Sequence, residues 1–576
     1  MNLGRFLTYF PAATWLKDYS RSWLANDITA GCITAVLLIP QGMAYAMLAG
    51  LPPEVGLYAS ILPPLVYSAL GTSRTLSVGP VSVAALLVAN ALAATGAEQG
   101  QPAYLQDALL LAVMSGGILL LMALLRLDAL VNFIGHPVLS GFTSGAAVLI
   151  IFSQLQNLTG IEMPQGGDGV DMILAATHNV LSLHVPTAML GLLAIFLLLA
   201  FKSPLINLLT KLGIPDKPAS FVSRGGPLVI IALLGFTVFV LHLHEQGVEI
   251  IGNVPAGFPQ LTGSFFTFDR ATALLPFALM ISLIGYVESV SVAKMLAYRR
   301  RQKIDNNQEL ISLGMANVAA AFSGAMPVAG GFSRSMVNFS AGAQTQLAAV
   351  ITAVLVGVAT AFFTPLFYYL PKAALAAVIV VAVAPLLDWR TAFKTFRYSR
   401  ADGAALLTTF FGVLLFNIEI GLIAGVFVGI STFLWRSSDP HIAVVGRVPG
   451  TEHFRNIKRH NVETWPQILM IRIDRSLFFA NISSVEDAVA REIKEHHEVK
   501  HLVLLCSGIN EVDYSALEAL EQLIYNLRKA GVDLHLAEVK GPVMDRIKRS
   551  GFLKTLAPGG VFLRAEEAVE ILSCSD

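Results

Sequence analysis

Residues 326–350 read MPVAGGFSRSMVNFSAGAQTQLAAV. Only one charge, Arg334, stands in this stretch, just beyond Pro327 and the pair Gly330–Gly331. Around it the chain is apolar: neither Leu310–Ser333 nor Ser335–Pro371 contains Asp, Glu, Lys or Arg. An ionised group at that depth is costly and marks function, and Gly and Pro end or delay a helix. The stretch therefore reads as a helix that starts midway through a membrane, with a cation at its first turn. A second reading stands beside it. Arg334 snorkels to an interface, and the glycines only let helices approach.

The rest of the chain supports a membrane setting. It has 576 residues, 55% of them hydrophobic and 14% charged, with a mean hydropathy of +0.66. Of the charged residues, 41 fall in 1–436 and 37 in the last 140. This divides the chain into an N-terminal cytoplasmic segment (1–26), a transmembrane domain (27–436) and a soluble domain (437–576). A net charge of zero gives no electrostatic basis for binding nucleic acid. Cys32, Cys506 and Cys574 have neither disulfide nor zinc spacing. The N-terminus lacks a signal-peptide pattern. There is no phosphate loop, metal cluster or nucleophile beside a base, so the expectation is no enzyme, no metal and no cofactor.

Apolar stretches of roughly 20 residues suffice to span a bilayer. The spacing predicts fourteen spans: 28–50, 55–72, 76–96, 108–125, 129–158, 180–201, 225–243, 272–297, 309–325, 329–345, 347–370, 373–387, 403–418 and 420–436. Lys and Arg concentrate on the cytoplasmic side. Loops after even-numbered spans carry Arg74, Arg126, Lys202, Lys211, Lys217, Arg224, Arg299–Arg301, Lys303, Arg390, Lys394, Arg397 and Arg400. Loops after odd-numbered spans carry Glu54, Glu98, Asp107, Glu162, Asp168, Asp171, Glu245, Glu249 and Asp269, with Arg270 and Lys372 as exceptions. Both termini are thus expected in the cytoplasm.

A second interrupted stretch, SRTLSVGPVSVAALL (73–87), matches the first in kind. Each lies in the third span of a set of seven, the arrangement of inverted-repeat transporters with discontinuous helices. A free helix N-terminus carries about half a positive charge and unpaired N–H groups, and attracts anions. Two such ends facing each other, with Arg334 beside them, would hold an anion. In the eighth span, Glu288 is a proton-coupling candidate; a packing contact with Lys294 is the alternative. Glu419 reads as a span end and His136 as a helix start. In the first span, Pro40 loosens the helix, and Gln41 and Tyr45 share a face one turn apart. Simple packing around a proline kink would also explain them.

These residues carry a resemblance. IPQGMAYAMLAGLPPEVGLYAS, SVGPVSVAAL, YVESVSVAK and PVAGGFSRSMVNFSAGAQTQLA resemble, in order, blocks of the sulfate permease (SulP) family, which includes vertebrate solute-carrier anion exchangers and prestin. The resemblance covers nearly the whole chain. It implies a fourteen-span, 7+7 inverted-repeat α-helical membrane protein of the uracil-transporter kind, with core and gate domains, elevator-like movement and homodimers. It also implies substrate contacts at Gln41 and Tyr45, at Val78, Gly79, Val81 and Ser82, and at Gly331, Phe332, Ser333 and Arg334. Glu288 resembles the glutamate of plant proton–sulfate symporters. The expected function is proton-coupled sulfate transport in a bacterial inner membrane, among membrane lipid. Fumarate or succinate, bicarbonate, and an exchanger or channel-like activity are the alternatives.

Residues 466–572 alternate strands (QILMIRI, HLVLLCS, VDLHLAEV) with helices (SVEDAVAREIKEH, SALEALEQLIYNLRKAG). This cytoplasmic α/β segment resembles the STAS domain of bacterial anti-sigma factor antagonists. Asp513-Tyr514-Ser515 lies where those proteins have a phosphorylatable serine after aspartate. Asp513 and Ser515 are therefore candidate regulatory residues and the segment a candidate docking site for a regulatory protein, although the inserted Tyr514 departs from the pattern.

Overall fold

The computed structural model describes residues 10–96, 99–128, 135–161, 163, 169–179, 182–201, 210, 216–257, 268–416 and 418–574. Glu98, Glu162, Asp168, Lys202 and Lys211, the start of the fifth span at 129–134, and the side chains of Lys217, Arg224 and Glu419 lie outside the described residues. The chain forms two compact units, Met1–Gly429 and Ile430–Asp576.

Among the described residues, each of the fourteen expected spans falls on a helix or a pair of helices. Span 1 is Arg21–Leu48, with Pro40 inside it; its first turn is capped by Ser20, whose hydroxyl accepts from the Ser22 N–H. Span 2 is broken into Pro53–Tyr58 and Leu62–Leu70, since Pro53 and Pro63–Pro64 each fix a helix start. Span 9, Asn306–Phe322, starts at Asp305, which accepts from the Asn307 and Gln308 N–H groups. Spans 3 and 10 are short, Ser82–Ala94 and Phe332–Ser340. Among the described residues, six helices are long and apolar enough to cross a bilayer unaided.

Packing sorts the spans into two groups. Span 4 (Pro102–Leu124) lies against span 8 (Phe268–Arg299) and span 9; span 11 (Leu347–Phe362) lies against span 1; span 2 lies against span 9. The second group pairs span 5 (His136–Ser153) with span 13 (Arg400–Leu415), and span 6 (Val185–Ala200) with span 12 (Lys372–Val383). Span 14 (Ile418–Ser438) approaches span 13 where Gly412 meets Gly421: a Cβ on Gly412 would sit 2.7 Å from the Gly421 Cα. The first group is the core and the second the gate.

The two exceptions to the charge asymmetry are paired. Arg270 donates to both carboxylate oxygens of buried Asp107 at 2.7 and 2.8 Å. Lys372 donates to Glu249 at 2.9 Å. Neither leaves a bare positive charge. Three described helices fall outside the expected spans: Pro11–Lys17, Gly169–His178 and Trp389–Tyr398. The last begins at Asp388, which accepts from the Thr391 N–H.

The second unit is a six-stranded sheet in the order β4-β3-β5-β6-β7-β8. Its strands are β3 Ile442–Arg447, β4 Phe454–Asn456, β5 Ile468–Ile473, β6 His501–Leu505, β7 Asp533–Ala537 and β8 Val561–Phe562. Strands β5 to β8 run parallel, and β3 and β4 are antiparallel additions. The three expected strands are β5, β6 and β7. The expected helices are Ile482–Glu495 and Tyr514–Lys529, which bury Val485, Val489, Leu520 and Ile524 in a core with Ile471 and Leu504.

Candidate functional site

The two interrupted stretches meet. Each leaves two residues extended before its short helix: β1, Val78–Gly79, and β2, Ala329–Gly330. The strands pair antiparallel, Val78 with Gly330 and Gly79 with Ala329, and the Gly331 N–H donates to the Ser77 carbonyl at 3.1 Å. The helices that follow begin at Val81 and Gly331, and no side chain caps either one. Their first-turn N–H groups keep the positive end of the helix dipole for a ligand.

Side chains from four spans fix this crossing. The Ser77 N–H donates to Ser335 Oγ at 2.9 Å, and Asn338 Nδ2 donates to the Thr75 carbonyl at 3.1 Å. On span 9, Asn317 brackets Val328, donating to its carbonyl and accepting from its N–H, both at 2.9 Å. On span 8, Ser289 Oγ accepts from the Gly330 N–H at 2.7 Å. Gln346 Nε2 donates to the carbonyls of Ser73 and Leu76. Irregular backbone at membrane depth needs such partners when it is buried in protein.

Arg334 is 2% exposed. Its Nη1 donates to the Pro80 carbonyl, while Nε and Nη2 are buried with no partner. Two glycines let the backbone pass close to the guanidinium. A Cβ on Gly331 would stand 3.0 Å from Nη2, and one on Gly79 would stand 3.3 Å from it. A buried cation with idle donors is unfavourable unless a ligand completes it. The snorkelling alternative fails, since the side chain is enclosed.

Gln41 and Tyr45 are buried on span 1. Among the described residues the Gln41 amide has no hydrogen-bond partner. Tyr45 reaches Ser82 and lies within electrostatic range of Arg334 and Glu288. Glu288 is half-buried and interacts with Arg334, while Lys294 is exposed and forms no ion pair with it. The alternative pairing of Glu288 with Lys294 is therefore not made. Val78, Val81 and Ser82 are buried; Phe332 is 45% exposed, and Ser333 is also open. The structure thus draws Tyr45, Ser82, Glu288 and Arg334 together around the crossing strands. A cavity of about 820 Å³ opens between core and gate, lined by Leu86 and Asn90 of span 3, Gln154 and Asn157 beyond span 5, and the Glu249–Lys372 pair.

Two buried carboxylates escaped sequence reasoning. Asp27, on span 1, accepts from the Gln344 N–H at 2.6 Å and from the Thr345 N–H and hydroxyl at 3.1 and 2.7 Å. Glu309, on span 9, accepts from the Thr72 N–H at 2.8 Å, the Thr72 hydroxyl, the Ser73 N–H and the Tyr67 hydroxyl. Each half thus lends one carboxylate to the loop beside the other half's short helix. Their signal was an acid near the start of an apolar span, which also fits an ordinary helix start.

In the second unit, Asp513 caps the helix Tyr514–Lys529. Its carboxylate accepts from the Ala516 N–H at 2.8 Å and the Phe479 N–H at 2.9 Å. Ser515 is exposed in the first turn. Asp513 is therefore occupied as a cap, and Ser515 is accessible.

A helical membrane unit with two crossed half-helices, followed by a small α/β unit, has the architecture of a multi-pass membrane transporter with a C-terminal α/β domain. Residues 24–409 match the sulfate permease family and residues 459–568 the STAS domain, and the chain belongs to that family. It is 35% identical to chloroplastic sulfate transporter 4.1 of Arabidopsis thaliana, over 98% of this chain and 82% of that protein. It is 31% identical to sulfate transporter 1.2 of the same plant, over 97% and 87%. The fold is similar to that of the murine Solute Carrier 26 family member A9 anion transporter in the inward-facing state. There the TM-score is 0.88 at 20% identity, covering 100% of this chain and 95% of that one. The transmembrane domain of a cyanobacterial bicarbonate transporter superposes with a TM-score of 0.59 at 22% identity, over 70% and 98%.

Proposed function

We propose that the protein carries sulfate into the cell together with protons. The observation that carries this reading is Arg334, a buried guanidinium with two unpartnered nitrogens between two uncapped helix N-termini. A small oxyanion fits that donor set, because guanidinium forks match its oxygens and helix ends favour its charge. The names of the related plant proteins favour sulfate. Gln41 and Ser82 add neutral donors, and Tyr45 walls the site. Phe332 and Ser333 face the open side.

Glu288 gives the coupling. A carboxylate beside the site repels an arriving dianion unless it is protonated, so proton and anion load together. The core then carries both past the gate in an elevator-like movement, while the gate holds a homodimer together. The charge asymmetry of the loops favours both termini on the cytoplasmic side, and the reading takes the membrane to be a bacterial inner membrane. In this reading the chain divides into 1–26, 27–436 and 437–576, and the STAS segment is regulatory, with Ser515 exposed for docking beside the helix cap Asp513.

The test is uptake into proteoliposomes of labelled sulfate, fumarate and bicarbonate, with and without an inward proton gradient. Sulfate accumulation that follows the gradient supports the reading. Accumulation of fumarate or bicarbonate in preference to sulfate replaces the substrate. Sulfate flux indifferent to the gradient removes the symport.

A further inference from the structure

At the cytoplasmic end of the core, Arg74 precedes β1 and Arg300 follows span 8 directly. Each guanidinium rests on an aromatic face. Arg74 lies 5.9 Å from the ring centre of Trp23, and Arg300 lies 4.7 Å from that of Phe339. Such contacts hold a guanidinium in place without using its N–H donors. Among the described residues, neither guanidinium forms an ion pair or a hydrogen bond. The Nη1 of Arg300 is buried without a partner. The two cations are close enough to repel each other. The carboxylate nearest in effect is Asp27, and its oxygens are already taken by Gln344, Thr345 and Tyr19.

Asp27 offsets part of this charge through space, but two fixed, partly buried guanidiniums still hold N–H donors without an acceptor, which an arriving anion would supply. Their position relates them to the site above. Phe339 closes the helix that Phe332 opens, and a rise of about 1.5 Å per residue places it roughly 10 Å further along. Arg74 stands on the linker that leads to β1.

We propose that Arg74 and Arg300 form a second anion site at the cytoplasmic mouth, taking a tetrahedral oxyanion such as sulfate as it leaves the central site. This rests on the proposed sulfate transport for the identity of the cargo, but the site itself is read independently. Trp23 and Phe339 are its walls, and Asp27 stays committed to its loop.

The test compares the two faces of the protein. Arg74→Gln and Arg300→Gln are reconstituted in phosphatidylcholine vesicles, and the KM for labelled sulfate is measured from each face. The expected result is a cytoplasmic-face KM raised about tenfold, the loss of one charge-assisted hydrogen bond, with the outer-face KM unchanged. Arg300→Lys keeps the charge but not the fork, and should fall between. Equal changes on both faces, or none, overturn the proposal. A second set of vesicles contains phosphatidylglycerol; an effect of the variants seen only there assigns the site to lipid phosphate and also overturns it. Equilibrium binding of labelled sulfate to Arg334→Ala protein separates this from failure of the proposed function. Residual binding that disappears with Arg300→Gln supports the mouth site even if uptake of sulfate is absent. No residual binding overturns it.

Discussion

Arg334 donates to the carbonyl of Pro80, so the buried cation of the second half is tied to the residue just before the helix of the first. One N–H group maintains this link, and the others face away from any partner. The same side chain therefore joins the halves and offers donors to a ligand.

Arg334→Ala should abolish sulfate uptake and binding at the central site, leaving only the weaker binding at the cytoplasmic mouth, while the protein remains monodisperse, because the loop crossing keeps its other bonds through Ser335, Asn338 and Ser289. Arg334→Lys should bind about tenfold more weakly, since an ammonium cannot reproduce the fork. Binding isotherms in detergent decide it. Wild-type affinity in Arg334→Ala would move the site elsewhere.

Glu288→Gln should separate exchange from accumulation. Glutamine keeps the shape of a protonated carboxyl but cannot release a proton. Counterflow of labelled sulfate should persist, and uptake driven by a proton gradient should be lost. Full gradient-driven accumulation in the variant would exclude Glu288 as the coupling group.

Glu309→Ala should lower stability by about 3 kcal/mol or more, since it strands several buried donors at once, each costing about 1–3 kcal/mol. Those donors are the Tyr67 hydroxyl, the Thr72 N–H and hydroxyl, and the Ser73 N–H. Glu309→Gln retains one acceptor oxygen and should lose less. Thermal unfolding of the purified protein ranks the pair; an unchanged transition for Glu309→Ala would show that the loop does not depend on it.

The second unit should weaken as pH falls. His535 Nδ1 accepts from the Gly560 N–H at 3.0 Å, and its Nε2 lies 3.2 Å from His501 Nδ1. Burial, then the neighbouring His501, holds the His535 imidazole down to about 4 from its ordinary 6.5. Between those values the unfolded chain binds the extra proton and the folded one does not. Stability is therefore complete above pH 6.5, declines as pH drops, and loses no more from this group below about pH 4. The protection factor of the Gly560 amide against hydrogen exchange should fall between pH 7 and pH 5, and His535→Gln should flatten that response. Equal pH dependence in both proteins would discount the histidine.

The membrane fold was legible because apolar length and the loss of charge repeat fourteen times, and because Gly and Pro interrupt two spans of matching rank. Arg334, Tyr45 and Glu288 were legible for the same reason: a polar group in an apolar run stands out. Asp27 and Glu309 were not, because each lies near a span end where charges are ordinary, and only the tertiary structure reveals the loop it holds. The Trp389–Tyr398 helix went unseen because its charges, Arg390, Lys394 and Arg397, read as a cytoplasmic loop. Strands β4 and β8 are short edge elements, and their pairing partners, not their own composition, make them strands; β3, inside the sheet between β4 and β5, lies ahead of the alternating 466–572 pattern.

The pairing of Val78 with Gly330 also bears on how the protein is made. About 250 residues separate the two partners, so at 5–20 residues per second the first half waits roughly 13–50 s for its counterpart to emerge. During that interval the first short helix has neither its strand partner nor the Arg334 bond. A nascent chain stopped before residue 326 lacks the partners that the second half gives to Val78, Ser77 and Thr75. The assembly of this protein in the membrane is thus a late, concerted event, and arrested chains of this length are natural substrates for membrane quality control.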